Sequence, residues 1–312
     1  MFETLSEPRY SSLVILWLAI AVDALWRWPQ SSHPLTFMRY LFHQMGKKVL
    51  PSSDFGPMQH YISATLAVIL LIGPLAICIH ILINMAEYPV FFEGFILLSL
   101  VDFGFQRQQY KKVLACVGRN KKSLAREMVA TITARQCHLL SDIGVAKAAI
   151  ESLWLKFLYL YCGVLFYYVV LGPIAALIYR LLLLASWQWH YRNPSMRYFA
   201  IPARTIVNVL VIPPCVVGSV GLMSISHPVR AIRALYKAAA RDKTSLILAL
   251  FGGVLDVKLG GPAMYADQKI RNVRVGGANE VKYSHMLNAK QLIEFAMISV
   301  ATMYSLIIIV FK

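Results

Sequence analysis

The chain has 312 residues, 58% of them hydrophobic and 15% charged, and its 31 Lys and Arg against 15 Asp and Glu give a formal net charge of +16. With a mean hydropathy of +0.58, it is too apolar for one soluble core, so the expected fold class is all-α, a polytopic membrane helical bundle. No nucleic-acid module accompanies the charge, which excludes nucleic acid as a partner and leaves topology, anionic lipid and anionic ligands as its uses.

A bilayer core about 30 Å thick takes roughly 20 apolar residues per crossing helix. The first apolar run, 12–25, follows Glu3, Glu7 and Arg9. Acidic residues ahead of the run argue against a cleavable signal peptide and place the N-terminus outside. Arg27, Arg39, Lys47 and Lys48 then fall on the inner side. Within them, His33-Pro34 opens an amphipathic interfacial helix with Pro at the first helical position. The run 62–85 is long enough to cross, and 88–105 follows it. Next comes the basic stretch 106–147, expected as a cytoplasmic loop because Arg107, Lys111, Lys112, Arg119, Lys121, Lys122, Arg126, Arg135 and Lys147 outnumber Glu127 and Asp142.

Run 153–184 exceeds one span and is broken at Gly172-Pro173, which predicts a helical hairpin. Pro213-Pro214 divides 206–225 in the same way, 245–255 is too short to span unaided, and 292–311 crosses. Broken or re-entrant segments persist at membrane depth only where protein or a water-filled cavity surrounds them. The segment 226–290 is again basic and is expected to face the cytoplasm, within a single integral membrane domain covering 1–312. The stretch Lys258-Leu259-Gly260-Gly261-Pro262-Ala263-Met264-Tyr265 reads as a turn, since paired glycines permit φ values closed to other residues and Pro262 fixes the exit.

Further features lack a single reading. His33–Phe42 aligns without a gap to His227–Tyr236, consistent with a duplicated membrane-exit element or with chance at helix starts. Asp23, Glu93, Asp102, Glu151, Lys156 and Arg180 lie in or beside apolar runs, where ionisable groups are either internal ion pairs and helix-end residues or functional. Trp187, Trp189, His190 and Tyr191, followed by Arg192 and Asn193, suit an interfacial belt or a stacking platform for a flat ligand. The five cysteines are scattered with no C-x-x-C spacing, so neither a disulfide framework nor a metal site is expected. P-loop, G-x-S-x-G and H-E-x-x-H motifs are missing.

In order, Asp23, His33-Pro34, Ala148-Ala149-Ile150-Glu151-Ser152-Leu153, Tyr179-Arg180, Tyr191-Arg192-Asn193, Ile201-Pro202-Ala203-Arg204 and Gly253-x-x-x-x-Lys258-Leu259-Gly260-Gly261-Pro262-x-x-Tyr265 resemble the CobD/CbiB family of cobalamin biosynthesis. Its members are adenosylcobinamide-phosphate synthases of the bacterial inner membrane. The resemblance implies that an aminopropanol unit or its phosphate is joined to a propionate carboxyl of adenosylcobyric acid, a corrinoid, with ATP and magnesium where that activity is retained. It also implies Glu151 and Lys258 as catalytic residues. His33, Arg180, Arg192, Arg204, Gly260, Gly261 and Tyr265 are then the substrate-binding set, with membrane lipids and other cobalamin-assembly membrane proteins as additional partners.

This chain departs from the family pattern at several acidic and amide positions. Ala-Glu-Asn-x-x-Asp-Gly after Glu-Ser-Leu is replaced by Trp154 to Leu160. Asn-Thr-Leu-Asp is replaced by Leu181 to Ser186, and Ser-Pro-Asn-Ala-Gly by Arg241 to Ser245 or a deletion. These losses motivate an alternative: a non-catalytic membrane sensor or scaffold on the same fold.

Overall fold

The computed structural model describes residues 8–311 apart from Arg27, Arg192 and residues 266–267. Its elements are α1 (Pro8–Leu25), α2 (Pro34–Val49), α3 (Pro57–Met85), α4 (Pro89–Leu100), α5 (Phe103–Gly118), α6 (Lys122–Ala130), α7 (Asp142–Lys156), α8 (Gly163–Leu171), α9 (Pro173–Gln188), α10 (Ile201–Leu210), α11 (Ile212–Ser224), α12 (Pro228–Tyr236), α13 (Lys243–Leu255), β1 (Lys258–Tyr265), β2 (Gln268–Gly276) and α14 (Tyr283–Phe311). A π-helical turn, Phe157–Cys162, joins α7 to α8. Helix dominates because a backbone in hydrocarbon must satisfy its own polar groups.

Four helical stretches are long and apolar enough to cross a membrane: Pro57–Met85, Pro89–Gly118, Asp142–Leu171 and Tyr283–Phe311. Helices α10 and α11, bent by 42°, add a fifth if the pair crosses as one. On α3, Ile62, Leu66, Ile69, Leu70 and Ile77 are exposed, an apolar face that lipid accepts and water does not. This is the expected polytopic helical membrane fold, with broken segments where the prolines announced them. The chain breaks between α8 and α9 at Gly172, whose φ is +89°, and Pro173 starts the next helix. Pro213 and Pro214 sit in the first turn of α11, where their missing N–H groups cost nothing. Both His33 and His227 precede helices that begin with Pro, but only His33 caps its helix, through Nδ1 to the N–H of Leu35 at 3.2 Å.

Two expectations are corrected. The basic stretch 106–147 is largely helical, because its charges do not interrupt α5. Arg107 and Lys111 instead meet Glu294 of α14 at 3.6 and 3.8 Å. Likewise the Gly-Gly-Pro segment is not a turn but lies inside β1, paired antiparallel with β2, so the all-α bundle carries a two-stranded hairpin. The register is irregular between Gly260 and Pro262, with φ of +74° at Gly260 and +100° at Gly261. A bulge in a two-stranded ribbon is where a strand accepts both positive φ and proline.

Contacts divide the chain into two compact units, one of residues Met1–Asp102, Gly163–Pro214 and Tyr304–Lys312, the other of Phe103–Cys162 and Cys215–Met303. In the first, α9 packs on α8, α10 and α3, and α1 on α4. Trp189 is buried at the end of α9 and donates Nε1–H to the carbonyl of Phe42 at 3.0 Å. This places Trp189 in the core of its unit, not in an interfacial belt. In the second unit, Trp154 stacks on Phe251 with centroids 4.6 Å apart and planes 8° from parallel. Its Nε1–H is satisfied by the carbonyl of Ile247 at 3.0 Å, and Phe157 and Tyr161 extend the stack. Helix α13 starts on Asp242, whose carboxylate accepts from the N–H of Ser245 at 3.1 Å. It ends at Asp256 in the left-handed region, which turns the chain into β1.

Replacing Trp154 by Ala removes the largest side chain of that stack and leaves a buried cavity. A loss of about 3–5 kcal/mol is expected, read as a lowered thermal midpoint of the detergent-solubilised protein.

Candidate functional site

The hairpin brings three of the expected residues together. Helix α7 begins at Ser141, whose Oγ accepts from the N–H of Gly144 at 3.2 Å. Two turns later Glu151, with only 6% of its surface exposed, reaches β1. Its Oε1 accepts the N–H of Gly260 at 2.6 Å, and its Oε2 accepts a short charge-assisted bond from the guanidinium of Arg135. Both members of this ion pair are nearly buried. A carboxylate withdrawn from water must find such partners, and each oxygen has found one. Gly260 also lets the strands approach, since a Cβ there would stand 2.5 Å from the carbonyl oxygen of Val273.

Two cations missed as site residues by the sequence reading complete the corner. A Cβ on Gly261 would lie 3.6 Å from Lys147 Nζ and 3.5 Å from Arg274 Cγ. Arg274 in turn pairs with Glu280 at 3.4 Å. Lys147 and Arg135 were read as loop charges. For Lys147 helical spacing gave one available signal, because it stands one turn before Glu151 on the same face.

Lys258 and Tyr265 sit at opposite ends of β1. Lys258 lines an open cleft with Lys237 and Arg274, with about 570 Å³ of empty space and no acidic residue in its lining. Tyr265 is paired in register with Gln268.

The other expected residues belong to the first unit. Arg180 is buried on α9 and donates Nε–H to the carbonyl of Leu100 at 3.2 Å, at the C-terminus of α4. Its second contact is Asp102 Oδ2 at 3.7 Å, and Trp187 lies beneath it with 5.8 Å from Cζ to the ring centroid. A cation at the end of a broken helix satisfies carbonyls that the break releases. Arg204 stacks on Tyr191, with Cζ 3.4 Å from the ring centroid, so the Tyr-Arg-Asn and Ile-Pro-Ala-Arg motifs meet there. Arg192 lies outside the described residues.

His33 is buried, and burial is the main cause that lowers its pKa below 6.5. The charge of Asp102 opposes that shift, while Arg180 and Arg39 reinforce it.

Among the described residues no group of three or more His, Cys, Asp or Glu is placed to hold a metal ion. Glu151 and Asp102 are already engaged by arginines. The available side chains therefore fit an anion better than a magnesium cage.

Two outcomes follow from these environments. Glu151→Ala strands Arg135 in the interior and should cost about 3–5 kcal/mol. Glu151→Gln should cost less, because its amide oxygen still accepts from Gly260; thermal unfolding of both variants checks the order. For His33, the unfolded chain binds a proton more readily than the folded one. The associated stability is complete above 6.5 and falls as pH drops below that value. His33→Asn keeps a capping oxygen and should flatten this part of the acid dependence of the thermal midpoint.

Residues 16–293 match the family described as CobD/Cbib protein, and the chain belongs to it. It is 25% identical over 278 residues to the "Cobalamin biosynthesis protein CobD" of Stutzerimonas stutzeri, covering 88% of this chain and 91% of that relative. A protein of the same description from Chromobacterium violaceum is 24% identical over 263 residues, covering 83% and 84%. A "Probable cobalamin biosynthesis protein CobD" of Methanocaldococcus jannaschii is 22% identical over 314 residues, covering 94% and 97%. No solved structure matches the chain.

Proposed function

Proceeding from membership of the CobD/Cbib family, we propose that this chain is a cobalamin-biosynthesis protein of the bacterial inner membrane. In this reading it joins an aminopropanol unit or its phosphate to a propionate carboxyl of adenosylcobyric acid. ATP and magnesium belong to that catalytic reading alone. Amide formation needs an activated carboxyl, a neutral amine beside it and cations that offset anionic charge. The observation that carries the reading is the pinned Gly260-Gly261 strand, held by Glu151 and Arg135 and faced by Lys147 and Arg274. Glu151 is best cast as a positioning residue, because each of its oxygens already accepts a bond. Lys258, in its cleft with Lys237, is the more accessible group for an anionic substrate. The basic stretches around these elements then face the cytoplasm, where soluble substrates arrive.

A second reading is favoured by a separate observation. Trp154, Phe157 and Leu158, which stand in the run that replaces the family's acidic and amide residues, are fully buried. So are Leu181, Leu183 and Ala185 in the second such run, with at most 1% exposed. A dry core at these positions supplies no proton carriers, which suits a sensor or scaffold that retains ligand binding without catalysis.

One assay separates the two. Purified protein is incubated with ATP, magnesium, adenosylcobyric acid and aminopropanol phosphate, and the corrinoid product is weighed by mass spectrometry. The synthase reading expects the amide-linked product, together with rescue of a strain lacking its own synthase. Corrinoid binding without product and without rescue selects the second reading.

A further inference from the structure

We propose that α12 lies in the plane of the membrane and docks on anionic lipid headgroups. Neither reading of the catalysis bears on this surface, which stands first on how the helix distributes its side chains. At about 100° per residue, α12 and Lys237, which continues its helical conformation, divide into three sectors. Ala231 and Ala234 are buried against Gly253 of α13, where a Cβ would stand 2.4 Å from the Ala234 Cβ and 2.9 Å from the carbonyl oxygen of Arg230. Val229, Ile232 and Tyr236 share a second sector about 60° wide and are 65, 44 and 85% exposed. Arg230, Arg233 and Lys237 share a third sector of the same width and are exposed as well. From Ser226 to Arg241 there is no acidic residue, so no carboxylate on this segment answers the charge. A helix with one side on protein and an apolar strip beside a basic one suits the headgroup boundary, where the strip enters the acyl region and the cations meet phosphates. Topological charge bias accounts for the cations but not for the exposed apolar strip.

Depth points the same way. Val216 and Val220 on α11, and Ile225 just after it, are exposed apolar residues suited to lipid. Only Ser226 and His227 separate Ile225 from α12. The end of α11 is fastened to α14, since Ser224 Oγ and Ser299 Oγ are 2.8 Å apart and a Cβ on Gly221 would stand 2.4 Å from Val300 Cγ2. Ile225 also lines an open apolar groove with Phe295 and Ile298 of α14. On α14 the last charged residue before Lys312 is Glu294, which receives Arg107 and Lys111. Ile225 therefore stands at the level where α14 passes from charged to apolar, and α12 starts at that boundary.

Charge complementarity selects the occupant. A two-fold contact between copies through α12 would set its basic sector against itself, whereas an anionic bilayer surface complements the basic sector and takes the apolar strip together. The test uses full-length protein with Cys78→Ser, which removes the exposed cysteine and leaves the buried ones. A nitroxide is attached at Val229→Cys, Ile232→Cys or Arg233→Cys, and the protein is placed in nanodiscs of phosphatidylcholine with or without phosphatidylglycerol. Collisions with oxygen and with a neutral, water-soluble nickel chelate are then recorded. Positions 229 and 232 should favour oxygen and position 233 nickel. Phosphatidylglycerol should deepen position 232, and that increment should be lost at high salt and in the combined variant Arg230→Gln, Arg233→Gln, Lys237→Gln. Exposed Lys282→Gln, about 18 Å from Glu294 along α14, should leave the increment intact.

Equal nickel access at 232 and 233 in every membrane would put α12 in water and overturn the proposal. Poor access to both reagents at 229 and 232 would mean that protein covers the strip, a second copy or another chain, and overturns it too. A depth that ignores phosphatidylglycerol, or an increment that survives in the combined variant, refutes the assignment of the cations to anionic lipid. In detergent the combined variant should unfold at the wild-type temperature, because the charges it removes are exposed. A lowered midpoint would assign those cations to the fold and would count against the lipid surface.

Discussion

The carboxylate of Glu151 ties the second unit together. One oxygen takes the N–H of Gly260 and the other takes the guanidinium of Arg135, so a helix, the segment preceding it and the bulged strand are fixed by one side chain. Every other feature of the corner follows from that bond. If β1 were not held against α7, Gly261 would not face Lys147, and the irregular register between Gly260 and Pro262 would have no reason to persist. Glycine at Gly260 is required twice, for its positive φ and for the close carbonyl of Val273. Buried charges of this kind do little for net stability compared with an apolar replacement, yet they define which backbone atoms meet.

Behind the corner, the aromatic stack of Trp154, Phe251 and Phe157 supplies the packing on which that geometry rests. The same residues explain how the chain tolerates its departures from the family pattern. Removing acidic and amide side chains from α7 and the π turn leaves positions that must be filled, and large aromatic rings fill them. In α13 the run from Arg241 to Ser245 provides an N-cap through Asp242. These changes are coherent as structure. They place core side chains and a helix cap in these runs alongside the Glu151 bond.

Much of this was legible in the sequence, and the exceptions have physical causes. Prolines and glycines marked the breaks at Gly172 and near Pro213 because they act locally, through φ and a missing N–H. Hydropathy marked the spans because lipid demands length and apolarity. The hairpin was hidden because its first strand contains two glycines and a proline, all poor strand formers. The clearer signal lay in the second strand, where Ile270, Val273 and Val275 alternate with or flank Arg271 and Arg274. Charge misled in the other direction: a basic stretch was read as loop, yet Arg107 and Lys111 are helical and meet Glu294 from another helix. Long-range pairing of this sort leaves no local trace.

The site residues divide by the same logic. Glu151 and the paired glycines were singled out by the resemblance, each within its own contiguous motif, whereas Arg135 and Arg274 join them only through the fold. Arg180 shows the converse. The resemblance placed Arg180 in the substrate-binding set, and the structure shows its Nε–H on the carbonyl of Leu100 and its charge beside Asp102. Its position is accounted for by the break between α4 and α5, where a helix end inside an apolar environment requires a donor.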